Sequence, residues 1–255
     1  MYATTGLTKV QTALLIEILI DAINTNKTTP PRHDTLTIFN QIVVTLTYLR
    51  RNRTQEDIAA THGVSQPTAS RVVTEWTRII GIALQDWIPT ADDLPEGTSW
   101  LVDGTLVPCW SWADHPEDWP GKHKTTGRNL IVVTDFTGRI AWISDAYPGS
   151  THDLTAIRDS HILELLNTCW IADKGFIGEI CIITLVRKLP HQEHLPPGDV
   201  EYNRQVSSLR APIERANAQL KTWRILQTDY RRPHNTHPET ITAVIGHEFF
   251  KMSHE

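Results

Sequence analysis

Apolar positions recur with two different periods along this chain, and the change falls near residue 90. Before it the spacing is helical. In residues 8–24 (TKVQTALLIEILIDAIN), Val10, Ala13, Leu14 and Ile18 return every three or four positions. Residues 34–50 (DTLTIFNQIVVTLTYLR) are equally apolar and helical in pattern, with Asp34 placed to cap the helix. Residues 55–76 (QEDIAATHGVSQPTASRVVTEW) divide into two short helices. Thr54 and Ser65 stand at the two N-cap positions, Gly63 permits the tight turn between them, and Pro67 is tolerated in a first turn. Ala69, Val72, Val73 and Trp76 give the second helix a buried stripe. Its other side offers Gln66, Thr68, Ser70, Arg71, Thr74 and Arg78. This layout predicts a helix-turn-helix whose second helix presents hydrogen-bonding side chains to base edges and phosphates. Arg50, Arg51 and Arg53, just upstream, are candidate phosphate contacts.

Residues 89–98 are rich in proline and acid and have no apolar period, which predicts a linker there. The helical domain is thus expected over 1–88 and a second domain over 99–255. In the second domain the apolar runs are short. Residues 100–110, 129–135 and 139–145 read as strands, with a turn at Thr137–Gly138, and 169–172 and 181–186 as two more. Residues 153–167, 200–223 and 236–252 read as helices. Strands followed by mixed helices and strands predict an α/β domain with a mixed sheet, preceded by the all-α domain.

Charge sharpens this division. The chain as a whole carries a net charge of −5. Residues 89–199 hold sixteen Asp/Glu against eight Lys/Arg, a net of −8, while residues 1–88 and 200–255 come to +1 and +2. The acid-rich middle fits either solubility or cation binding. Cys109, Cys169 and Cys181 form no CxxC pair, so neither a disulfide framework nor a structural zinc site is expected. No apolar run reaches membrane-spanning length, and the N-terminus has no signal-peptide pattern. A reducing, cytoplasmic setting is expected.

Three of the acids stand where chemistry gathers. Asp103 and Asp173 sit near strand ends, each with a glycine close by, and Glu214 lies on the late helix. Two carboxylates from adjacent strands and one from a packed helix can hold two Mg²⁺ ions about 3.5–4 Å apart, with Mn²⁺ as an alternative. Pro212 fits a first turn, and Ile213, Ala216, Leu220 and Trp223 mark the buried stripe of that helix. Glu214 and Lys221 share a neighbouring face, two turns apart, which suits a metal-binding acid and a phosphate-binding cation. A solvated face of mixed charge is the plain alternative. Asp153 reads as a helix cap or a supporting acid. The basic loop Lys122–Arg128, with His123, reads as a DNA contact or a solvated loop, and Trp110, Trp112 and Trp119 as packing or loop residues.

Four motifs in order carry a family resemblance: DGT at 103–105, PGSTHD at 148–153, ADKGF at 172–176, and Arg210, Glu214 and Lys221 spaced as R-x3-E-x6-K. With WRILQTDYRRP at 223–233, they make the chain resemble the DDE transposases of bacterial insertion sequences, and it is also similar to the Harbinger-type transposases of eukaryotes. The tyrosine that opens the family's helix signature is replaced here by Ser207. The resemblance implies a ribonuclease H-like catalytic domain behind a helix-turn-helix. It implies Asp103, Asp173 and Glu214 as the catalytic, metal-holding triad, and Arg210 and Lys221 as DNA contacts. It also implies a protein that binds element ends and target DNA, acts as a homo-oligomer on DNA, and works on the nucleoid of a bacterium. A DNA-binding regulator without chemistry and a nuclease without strand transfer are the other classes these features fit.

Overall fold

The structure, a computed structural model, describes residues 2–25, 29–30, 32–110, 114–120, 124–166 and 168–255; Trp112, Lys122 and His123 lie outside them. The chain forms two compact units, Met1–Ile88 with Lys221–Glu255, and Pro89–Leu220.

The first unit opens with the helices α1 (Tyr2–Thr5), α2 (Lys9–Thr25), α3 (Ile38–Arg51), α4 (Gln55–His62) and α5 (Gln66–Ala83). The cap of α3 is Thr37, which accepts from the Asn40 amide, and not Asp34. The backbone ahead of the helix is already committed: the Thr35 and Leu36 amides both donate to Nδ1 of His33, at 3.2 Å each. The helix-turn-helix forms as the sequence predicts. Thr54 accepts from the Asp57 amide, Ser65 from the Thr68 amide, and Gly63 takes the left-handed conformation between the helices (φ 64°). Ala69, Val72, Val73 and Trp76 are buried. Trp76 also donates Nε1–H to Gln41 on α3 at 2.9 Å, so the buried indole leaves no stranded donor.

The second unit is built on a mixed sheet. Its strands are β1 (Trp100–Pro108), β2 (Gly127–Thr134), β3 (Ile140–Ile143), β4 (Tyr147–Pro148), β5 (Trp170–Ile171) and β6 (Ile182–Ile183). The order is β3-β2-β1-β5-β6, with β4 also on β2. β1 pairs antiparallel with β2 and parallel with β5. Period-two alternation divides β1 between two cores. Trp100 and Val102 join Trp142, Ile157, Trp170 and Phe176 on one face, where α6 (Asp153–Asp159) and α7 (Ile162–Leu165) pack. Leu101 joins Ile171, Val206 and Ile213 on the other, beneath α8 (Pro197–Leu220). Where one helix over 153–167 is predicted there are two, because His161 adopts the left-handed conformation (φ 57°) and ends the first.

α8 overturns one expectation. Pro212 is not in a first turn but fifteen residues inside a helix that runs through it. Its missing N–H leaves the Ser208 carbonyl without its usual intrahelical donor, but Ser208 is exposed and water can serve it. The position is also closely met from the sheet. Gly138, at φ +92° in the β2–β3 turn, comes so near that a Cβ there would lie 3.0 Å from the Pro212 carbonyl. The helix then stops at Leu220, three residues short of the predicted end.

The last helix, α9 (His237–Met252), belongs to the first unit, although the sequence assigns 99–255 to one domain. Nearly all of α9 is buried, and it lies against α5 closely enough that a Cβ at Gly81 would meet Ala243 at 3.8 Å. No helix among the described residues is long and apolar enough to cross a membrane.

Candidate active site and DNA-facing helix

The sheet register brings the two aspartates together. Leu101 of β1 pairs with Ile171 of β5 in parallel, and Asp103 and Asp173 each follow two residues later. Parallel neighbours advance in step, so the two acids lie side by side. Asp173 stands two residues past the end of β5, but Asp103 is the fourth of nine residues of β1 and not near its end, where the sequence reading places it. Asp173 caps the 3₁₀ turn Lys174–Phe176, accepting from the Gly175 amide at 2.6 Å.

α8 supplies the third acid together with Arg210, which the sequence reading gives as a DNA contact, and Asn217, to which it gives no role. Val206, Arg210, Ile213, Asn217 and Leu220 form its buried stripe at spacings of four and three. The apolar members fill the core, while Arg210 and Asn217 close on Asp103 from either side. Arg210 Nη2 donates to Asp103 Oδ1 at 3.2 Å and Asn217 Nδ2 to Oδ2 at 2.9 Å. Arg210 also reaches Glu214 at 3.7 Å, so one guanidinium bridges two acids of the predicted triad. Arg210 is therefore helical and buried on carboxylates, whereas the family pattern makes it a DNA contact. Glu214 projects outward, with 64% of its side chain exposed.

Burial pushes the Asp103 carboxyl up to about 7, with Arg210 pulling against it and Glu214, Asp173 and Asp153 adding like-charge repulsion. All four acids thus share one neighbourhood, although the oxygens of no three of them gather within 4.8 Å of one another. Two buried atoms here have no hydrogen-bond partner, Arg210 Nε and Asn217 Oδ1. Orphaned buried polar atoms are rare in folded proteins and mark a site that something else completes.

Asp153 does not cap α6. His152 holds the cap position, and Asp153 begins the helix with its Oδ1 accepting from Asn129 Nδ2 at 2.8 Å. Its carboxylate occupies the side-chain space of Gly104, where an added Cβ would lie 2.2 Å from Oδ1. It also comes 3.3 Å from a Cβ placed on Gly175. Gly104, next to Asp103, and Gly175, two residues after Asp173, therefore leave the room that Asp153 occupies beside these two acids. A cleft of about 720 Å³ opens there, lined by Asp153, Asp173, Lys174, Asn129 and Arg187.

Lys221 is not on the helix with Glu214, because α8 ends one residue before it. On α5 the predicted contacts divide by exposure. Gln66 and Arg71 are exposed, Thr74 and Arg78 are half-buried, and Thr68 is buried beside the capping Ser65. Arg78 pairs with Glu75 at 3.4 Å, and Thr74 accepts from Arg232 at 2.8 Å. Upstream, Arg50 lies over the Trp223 ring at 5.1 Å and donates to Thr222.

A mixed sheet that brings two acids side by side on adjacent parallel strands, following a helix-turn-helix in the chain, fits a metal-dependent DNA-processing class. Comparison with known proteins agrees. Residues 102–246 match the DDE superfamily endonuclease family, and residues 34–86 match the helix-turn-helix of DDE superfamily endonucleases. The chain belongs to the DDE superfamily, whose members depend on divalent metal. It is 30% identical over 194 residues to a protein of Streptomyces albus G named as a transposase for insertion sequence element IS112, covering 75% of this chain and 72% of that one. It is 27% identical over 233 residues to one of Microchaete diplosiphon named for element IS702, covering 85% and 81%. No solved structure is matched.

Proposed function

We propose that this protein is the transposase of an insertion sequence: it binds the element ends and, at Asp103, Asp173 and Glu214, cuts DNA and joins the cut strand to target DNA. The observation that carries this reading is the register of Asp103 and Asp173 on β1 and β5, with Glu214 tied to Asp103 through Arg210. The donor set suits Mg²⁺ or Mn²⁺. The three candidate ligands are all carboxylates, with the orphaned Asn217 Oδ1 at their edge. When bound, two such ions supply Lewis-acid stabilisation at phosphorus and a more acidic water or 3′-hydroxyl.

The protein's own groups do the rest. Arg210 and Asn217 fix the Asp103 carboxylate, and Arg210 offsets repulsion between Asp103 and Glu214 while no cation is there. Arg210 is accordingly a positioning residue in this reading. Lys221 holds a phosphate of the bound strand. Gln66, Arg71, Thr74 and Arg78 on α5 address the element end, and the complex forms as a homo-oligomer on DNA.

The test is Mg²⁺-dependent nicking of a genomic fragment carrying the flanking DNA. Asp103→Asn and Asp173→Asn should each lower the rate by about 10³-fold, equal to about 4 kcal/mol, with duplex affinity within twofold of wild type. Joined target molecules among the products are required. Hydrolysed ends alone would leave a nuclease, and a wild-type chain that binds the fragment but never nicks it would leave a regulator.

A further inference from the structure

The segment YRRP, residues 230–233, follows the catalytic motifs in sequence, but it folds into the helical unit. There it borders an open groove of about 550 Å³ beside the helix-turn-helix. Arg231 and Arg232 line one side, Arg53 with Gln55 the start of α4, and Gln66, Ser70 and Thr74 the flank of α5. Each guanidinium leans on a different acceptor. Arg231 donates to the Asn52 carbonyl at 2.6 Å, Arg232 to Thr74 at 2.8 Å, and Arg53 pairs with Asp57 at 3.2 Å. Tyr48, also on the groove, is raised by burial to about 12, and both Arg232 and Arg231 pull against that shift, so the two cations face the same space.

We propose that Arg231 and Arg232, together with Arg53, form a phosphate-binding rim that completes the helix-turn-helix as a duplex-DNA surface. The three cations outnumber the one acid on the groove, Glu56. They are braced on separate acceptors and do not converge on one point, which suits successive phosphates of a strand better than a single small anion. Guanidinium forks match phosphate oxygens, and such contacts fix register on DNA without reading sequence. Hydroxyl and amide groups of Ser70, Thr74, Gln55 and Gln66 stand between the cations as further donors. The reader helix and its phosphate rim thus come from sequence positions about 160 residues apart, joined by the bond from Arg232 to Thr74.

This inference rests on the DNA-binding reading of α5, and one titration separates the two. The probe is a mixed-sequence duplex, titrated with the full chain over a KCl series. Each arginine that neutralises a phosphate steepens the slope of log K against log [KCl] by about 0.9. The Arg231→Ala/Arg232→Ala variant should flatten the slope by about two and weaken binding at least tenfold at low salt. Arg231→Lys/Arg232→Lys should keep the slope, which a merely structural role for the guanidiniums would not. An unchanged slope in the alanine variant, with Arg71→Ala still weakening binding, overturns this inference alone. A wild-type chain that binds no duplex overturns the α5 reading as well. Loss of stabilisation by inorganic phosphate in the alanine variant, with no change in DNA slope, would make the groove a small-anion site and overturn the proposal.

Discussion

Glu248 in the helical unit and Asp103 in the sheet unit are both carboxylates withdrawn from water, yet their surroundings differ in kind. Glu248 is 2% exposed and accepts from Trp223 Nε1 at 2.8 Å on one oxygen and Lys251 Nζ at 3.2 Å on the other. Beside it His247 is fully buried against Trp223, and burial, the largest influence on it, pushes its imidazole down to about 4 and keeps it neutral. Asp103 also has two donors, but one of them is shared with Glu214, and three like charges face it. Its partners keep unmatched atoms of their own. The first cluster keeps unmatched atoms too, both ring nitrogens of His247, and its Lys251 also reaches Glu255 at 3.4 Å, but it stands away from the motif acids and serves the fold. The second is left open at an energetic cost, as sites prepared for a ligand are.

If that contrast holds, substitutions in the two clusters should move stability in opposite directions. Glu248→Ala should have the largest effect. It strands a buried indole N–H and removes one of the two carboxylates paired with the Lys251 ammonium, at a cost of about 3–5 kcal/mol, and calorimetry should show the melting temperature lowered by about 10 °C. A melt matching wild type would make Glu248 no different from a surface acid.

The next effect is on pH. The folded imidazole of His247 protonates near 4, against 6.5 for an unperturbed one. The unfolded chain therefore takes up the proton first. The stability gained by keeping His247 neutral is complete above about 6.5 and is lost as pH falls toward 4, a change of about 3 kcal/mol at most. Denaturant titrations at pH 7 and pH 4.5 should show this loss, and His247→Leu should remove about one proton from the slope. Equal slopes in variant and wild type would sever the effect from His247.

The smallest effect has the opposite sign. In metal-free buffer at pH 8, Asp103→Asn removes a desolvated charge that repels its neighbours and keeps the side chain's shape. It should raise stability by about 1–2 kcal/mol, even as nicking is lost. A destabilised variant would place Asp103 with Glu248 among the residues that hold the fold.

Much of this was legible from residue spacing. The helix-turn-helix could be read because its signals are local: two caps, one glycine and one stripe. That Asp103 and Asp173 lie on strands of one sheet could be read because each follows a short apolar run. What could not be read depends on partners distant in sequence. Arg210 and Asn217 stand on the same buried stripe as Ile213 and Leu220, but the Asp103 carboxylate they close on lies 107 and 114 positions away, so Arg210 read as a DNA contact and Asn217 as no more than a neighbour of Glu214. Asp153 resembled a cap because Asp before a helix so often is one. Only the space left by Gly104 shows where its carboxylate goes. The end of α8 at Leu220 and the placement of 221–255 with the first helices arise from tertiary packing, which no local pattern records.

That nested connectivity has a consequence for how the protein is made. A ribosome releases α2 to α5 before the sheet unit, but α9, the helix that covers α5, follows the sheet unit in sequence. Until then Val73, Trp76 and Ile80 belong to a half-built core, and the whole sheet unit emerges and can fold in the interval. The helical unit is thus begun before the sheet unit and completed after it. A message cut short after residue 88, or after residue 220, would yield the DNA-reading helices without α9 and without Arg231 and Arg232. Truncated products of this gene should therefore be removed as unfinished chains and should not persist as competitors for DNA.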